Sequence, residues 1–263
     1  MSITHRFTEV NGIKIHIAEA GVGPLVVLCH GFPESWYSWR HQIKALSEAG
    51  YHVVAPDMRG YGQTDRPNAI DQYSLLHLVG DIVGLVNAIG DKQAVVIGHD
   101  WGAPVAWHCA LFRPDLFRAV AGLSVPYRPR GPAVPTTLMP QTDSEIFYQL
   151  YFQTEGVAEK EFEQDIARTI RLVLAGRADK NAPARSPMVP RQGAGLLRRR
   201  CHRRFQIGSQ RRTSTFTSPN FNDPGFEADL TGIEISTATG SCWHLGPAPR
   251  SRCLRSTSLE SKI

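Results

Sequence analysis

Gly98-His99-Asp100-Trp101-Gly102 lies between a short apolar run and a stretch with helical periodicity. Its small-x-nucleophile-x-small spacing is that of a sharp strand-to-helix elbow, with an aspartate in the nucleophile's place. The glycines have a steric reason: a Cβ on either flank of so tight a turn clashes. A helix N-terminus beside the elbow favours negative charge on Asp100. His30-Gly31-Phe32-Pro33 follows a second apolar run, where a strand-end loop supplies one oxyanion-hole N–H and the residue after the nucleophile supplies the other. The two donors are then Phe32 N–H and Trp101 N–H. His30 is read as a structural histidine without a proton-transfer role. Trp36 and Trp101 are expected to wall an apolar pocket, the alternative for Trp36 being an ordinary core aromatic. A carboxylate attacks amides poorly, but it displaces a leaving group at an sp³ carbon and forms an alkyl ester. A water activated by a His–acid pair must then hydrolyse that ester. Strained epoxides and alkyl halides fit this chemistry.

The elements that must hold these residues are legible in the periodicity. Asn11-Gly12 marks a hairpin turn between Thr8–Val10 and Ile13–Ala18. Leu25–Cys29, His52–Pro56, Ala94–Ile97 and Ala119–Leu123 are short apolar runs, as strands covered on both faces should be. Between them, Trp39–Ala49, a stretch capped by Ser74 and running to Ile89, and Trp101–Phe112 have helical character. This alternation predicts an α/β fold: a mostly parallel sheet with helices on both faces.

Composition narrows the class. The 263 residues fit one α/β domain, or a core with an inserted cap. No apolar run reaches a membrane span and no apolar leader opens the chain, so a cytoplasmic protein is expected. Five scattered cysteines without a C-x-x-C pair predict neither disulfides nor a metal site. The net charge of +5 is uneven: residues 185–263 hold 13 Lys+Arg against 5 Asp+Glu, residues 1–184 hold 16 against 19. A basic tail can bind nucleic acid, but no aromatic interleaving or docking motif accompanies this one, and no nucleic-acid partner is expected.

H-G-F-P-E-S-W-Y-S-W-R-H-Q (30–42), D-M-R-G-Y-G-Q-T-D-R-P (57–67), G-H-D-W-G (98–102) and Y-Q-L-Y-F-Q-x-x-G-V-A-E (148–159) resemble soluble epoxide hydrolases of the α/β-hydrolase fold. The resemblance runs from about residue 10 to about residue 174. It implies an incomplete core over 1–125, the start of a helical cap over 126–184, and a small-molecule epoxide as substrate. It implies no cofactor, metal or membrane partner, and leaves the oligomeric state open. In the family a cap tyrosine donates a hydrogen bond to the epoxide oxygen. By motif position that residue is Tyr148, with Tyr151, also expected in the substrate pocket, as the fallback. Haloalkane dehalogenases share the Asp elbow, but here Phe32 replaces their halide-holding Asn. A non-catalytic hydrolase-like binding protein is the other alternative.

Three family groups are absent: a second tyrosine in a motif like N-W-Y-R-N, a distal acid and a C-terminal histidine. After Cys109 the histidines are His202 and His244, neither in the expected context, and Asp223 with His244 has no strand to carry it. Instead Arg198-Arg199-Arg200, Arg203-Arg204 and Arg211-Arg212 cluster and periodicity vanishes. The C-terminal third, 185–263, is expected to be irregular. A one-nucleotide frame shift accounts for this. Written TTA-ACT-GGT-ATC-GAA after a codon ending in C, Leu230–Glu234 reads in the shifted frame as CTT-AAC-TGG-TAT-CGA, Leu-Asn-Trp-Tyr-Arg. Continued across Thr213–Lys262, a permitted choice of codons recovers the tyrosine motif, an apolar strand and an aspartate after it.

Overall fold

The computed structural model describes residues 2–175, 187–192, 195–197 and 234–237. They fall in two compact units, one holding 2–127 and 234–237, the other 128–175, 187–192 and 195–197. In the first, β1 (Thr4–Val10) and β2 (Ile13–Ala20) form the hairpin expected at Asn11-Gly12. Both turn residues have positive φ, 49° and 77°, as a two-residue turn matched to strand twist requires. β3 (Leu25–Cys29), α1 (Arg40–Glu48), β4 (His52–Pro56), α2 (Leu75–Ile89), β5 (Ala94–His99), α3 (Gly102–Phe112) and β6 (Phe117–Leu123) follow. The strand order is β1-β2-β4-β3-β5-β6. Strands β4, β3, β5 and β6 are parallel, and the hairpin joins them antiparallel through β2.

Strand alternation assigns the faces. Val27, Cys29 and Val96 point to one side, with Ile82 and Val86 of α2 and Val105 and Cys109 of α3. Val26 and Leu28 point to the other, with Ile43 of α1 and Trp39 just before it. Each such aliphatic side chain stabilises by about 1.5–3 kcal/mol on full burial. All five residues of β3 are buried, which explains their unbroken apolar run. Ser74 caps α2, its Oγ accepting from His77 N–H, and Gly90 ends that helix in the left-handed conformation.

Polar side chains pin the 57–65 loop to this layer. Asp57 accepts Trp36 N–H (3.0 Å) and Gln63 N–H (3.0 Å) and meets His16 Nδ1 (2.8 Å). Arg59 is buried and forks onto Asp81 of α2 at 2.8 and 2.6 Å. Asn11 in the hairpin turn donates to the same carboxylate at 2.8 Å.

The second unit holds β7 (Glu145–Phe147), α4 (Tyr148–Tyr151), α5 (Val157–Phe162), α6 (Ile166–Ala175) and β8 (Met188–Pro190), the two strands antiparallel. Tyr151, Ala158 and Val189 form its small apolar cluster. The last strand, β9 (Glu234–Thr237), pairs antiparallel with β6 of the first unit. Of the stretch expected to be irregular, 185–263, the described residues include these two short strands, and most of the rest lies outside the described residues. An unpaired strand edge offers free N–H and C=O groups to any segment able to extend, and Glu-Ile-Ser-Thr carries β-favouring residues. The arginine clusters, Asp223 and His244 lie outside the described residues.

Candidate active site

The strand order reverses at β3: its two neighbours, β4 and β5, are reached by connections running in opposite directions. Cys29 of β3 stands opposite Gly98 of β5. The loops leaving these strands, 30–34 and 99–101, are therefore side by side beyond the sheet's carboxyl edge, where open α/β sheets bind ligands.

Asp100 turns the chain from β5 into α3 with φ of 53°, a left-handed conformation that a non-glycine residue adopts at a cost. Its N–H is shared between Leu123 O (3.3 Å) and Ser124 Oγ (3.2 Å). The glycines have the predicted reason. A Cβ on Gly98 would overlap the Gly102 carbonyl, and one on Gly102 would overlap the Cys29 carbonyl. Gly31 makes an equally close approach, since a Cβ there would meet the Asp100 side chain and Trp101 N.

Phe32 N–H donates to Asp100 Oδ1 at 3.1 Å. The expected hole donor thus already holds the carboxylate. Trp101 N–H lies at the start of α3, where backbone N–H groups lack intrahelical acceptors, and Trp101 as a residue is 51% exposed. His30 is buried, with Nε2 accepting from Met58 N–H (2.9 Å) and Nδ1 donating to Gly31 O (2.9 Å). Burial lowers its pKa, partly opposed by the Gly31 carbonyl. Both nitrogens are committed to backbone, as a structural histidine requires. Trp36 packs on the α1 face of the sheet with its ring edge to His5, centroids 4.7 Å apart.

Sequence reasoning passed over Glu34 and His99. Glu34 Oε2 meets His99 Nδ1 at 3.2 Å and accepts Gly31 N–H at 3.4 Å. Both residues stood inside the quoted motifs, but nothing in their spacing paired them. Tyr61, in the 57–67 motif, is a third such residue. Burial raises its phenol to about 12, helped by the charges of Asp100 and Glu34.

In the second unit, Tyr151 is 9% exposed and donates to Glu161 Oε2 at 2.8 Å. Tyr148 is half-buried, and its hydroxyl accepts from Gln149 Nε2 at 3.1 Å. Of the two tyrosines, Tyr151 has its proton engaged. Among the described residues no three His, Cys, Asp or Glu side chains group as metal ligands, and no helix is long and apolar enough to cross a membrane.

Residues 24–183 match the α/β hydrolase fold family. The chain is 46% identical over 192 residues to epoxide hydrolase 3 of Siraitia grosvenorii, covering 72% of this chain and 59% of that protein. It is 49% identical over 176 residues to epoxide hydrolase A of Mycobacterium tuberculosis, covering 66% and 55%. Among solved structures, an epoxide hydrolase from an endophytic Streptomyces superposes with a TM-score of 0.71 at 46% identity, covering 74% of this chain and 60% of that one. Epoxide hydrolase A of Mycobacterium thermoresistibile gives 0.69 at 47%, covering 74% and 62%. The chain spans little more than half the length of the curated relatives it matches. With well over half its residues inside the family match, this chain belongs to the α/β-hydrolase fold family, and the relatives it resembles there are epoxide hydrolases.

Proposed function

We propose that this chain opens small-molecule epoxides through an ester on Asp100, the nucleophile of a strand-to-helix elbow. Asp100 attacks a ring carbon. The new C–O bond forms as the ring C–O bond breaks, and the departing alkoxide takes a proton from a phenol, the role proposed for Tyr148. A donor suits that step because charge develops on the oxygen. In a complete hydrolase, water then attacks Asp100 Cγ, the N–H groups of Phe32 and Trp101 hold the oxyanion, a base takes the water's proton, and the diol leaves.

The observation that carries the proposal is Phe32 N–H on Asp100 Oδ1 at 3.1 Å, in a chain 46–49% identical to epoxide hydrolases. With Oδ1 so held, Oδ2 is the atom left to attack. The distal acid and second tyrosine are proposed to be encoded out of frame, and no histidine stands in the expected context, so the ester forms and persists. On exposure to styrene oxide, intact-protein mass spectrometry should show one stable adduct that peptide mapping places on Asp100. Cys29 and Cys109 are buried, and burial raises both thiols well above neutrality, so neither should compete. Peptide mapping that finds Asp100 unlabelled, whatever other residue carries the adduct, would refute the assignment. The frame shift is tested on the coding DNA: nucleotides for Leu230–Glu234 that do not spell Asn-Trp-Tyr in another frame sink it.

A further inference from the structure

We infer that Glu34 and His99 are positioning residues, whose hydrogen bond holds the 31–34 turn so that Phe32 N–H meets the Asp100 carboxylate. The inference rests on the proposed role of Asp100.

The contacts close a ring. Glu34 N–H donates to Gly31 O at 3.0 Å, which shapes the turn. Gly31 N–H reaches back to Glu34 Oε2 at 3.4 Å, and the same oxygen meets His99 Nδ1 at 3.2 Å. His99 is joined through one peptide bond to Asp100, whose Oδ1 takes Phe32 N–H. Two consecutive amides are thus held by two different carboxylates, Gly31 by Glu34 and Phe32 by Asp100. Rotating the Gly31–Phe32 peptide plane disturbs the Phe32 N–H bond together with the bond that the Gly31 carbonyl accepts from Glu34 N–H. The tight approach of Gly31 to the Asp100 side chain leaves little room for such rotation.

The electrostatics agree with this geometry. Burial alone would raise the Glu34 pKa, but the His99 hydrogen bond and charge, the Gly31 N–H and His30 outweigh it and hold the carboxyl below its usual range. Glu34 is therefore an anionic acceptor near neutrality, although its side chain is only 9% exposed. A glutamate so placed needs partners, and Gly31 N–H, His30 and His99 belong to the loop or to the strand that carries the nucleophile. Glu34 need not touch the epoxide: it acts through the backbone donor.

The test compares the full chain with Glu34→Ala, Glu34→Gln and His99→Ala. Styrene oxide is the probe, and Asp100 labelling is followed by intact-protein mass spectrometry over a range of epoxide concentrations. Glu34→Ala and His99→Ala should lower the maximal labelling rate about ten- to a hundredfold, as misplacement near a reacting centre does. The half-saturating epoxide concentration should stay put. Glu34→Gln keeps an acceptor oxygen and should restore most of the rate. Labelling of Glu34→Ala at the wild-type rate, or of Glu34→Gln as slowly as Glu34→Ala, overturns the inference. Hydrogen exchange at the Phe32 amide gives a readout independent of activity. It should quicken about tenfold or more in Glu34→Ala and far less in Glu34→Gln, with β3 and β5 still protected. If the wild-type chain never labels, the role of Asp100 fails, and amide exchange alone decides whether Glu34 holds the loop. Unchanged Phe32 exchange in Glu34→Ala overturns the positioning role in either case.

Discussion

Asp100 sits in a strained backbone conformation with one carboxylate oxygen fixed, and both conditions depend on neighbours that lack side chains. At Gly31 an added methyl meets the Asp100 side chain directly. Gly31→Ala should therefore slow adduct formation by about a hundredfold through displacement of the carboxylate, with far-UV circular dichroism unchanged. Labelling at the wild-type rate would show that the loop yields easily. The two tyrosines of the second unit should separate by phenotype. Tyr148→Phe removes the proposed proton donor and should slow ester formation, as losing a transition-state donor typically does, by about 10²–10³-fold. Tyr151→Phe leaves Glu161 with the Leu196 and Leu197 N–H groups at 3.0 and 2.8 Å. It should cost only about 1 kcal/mol of stability and leave the labelling rate alone. Equal rate effects from the two would remove the distinction.

Among the elements, the hairpin β1–β2, the 57–65 loop and α2 are joined by one buried group of charges. Arg59 forks onto Asp81, and Asn11 donates to the same carboxylate. Such a pair contributes little net stability over an apolar replacement, but breaking it strands a buried charge. Asp81→Ala should lower stability by about 3–5 kcal/mol in urea unfolding. The double replacement Arg59→Met with Asp81→Leu should cost clearly less, and equal losses would show that the pair itself stabilises. Strand β9 makes the complementary point. It joins the edge of β6 although its sequence belongs to a stretch without strand periodicity, because the edge supplies the hydrogen-bonding partners.

For the whole molecule, acid should destabilise the fold in two stages. The His30 pKa is depressed below its ordinary 6.5, chiefly by burial. Its contribution is intact above 6.5 and is lost as pH falls from there toward the folded-state value. Glu34 is depressed below its ordinary 4.5, its partners outweighing burial, so its contribution is present above 4.5 and lost as pH falls through its lower folded value. Melting temperature should decline from about pH 6.5 downward, and His30→Gln should flatten the upper stage if Gln reproduces the two backbone bonds. At neutral pH, sustained diol release above the buffer rate is not expected from a chain in which no histidine stands in the expected context for a base. Turnover lost in Asp100→Ala would show that another residue serves as the base. The sequence by itself determined the alternation of strands and helices, the Asn11-Gly12 hairpin, the Asp100 elbow and the family resemblance. These are local properties: side-chain period, turn chemistry and short motifs are written in consecutive residues. Only the tertiary structure decided that β3 and β5 lie adjacent and in step, that Glu34 meets His99 across 65 residues, that Arg59 finds Asp81, and that Tyr151 donates to Glu161. Periodicity states which face of an element is buried but not which distant segment buries it. That choice is made by strand pairing and by the need of each buried polar group for a partner.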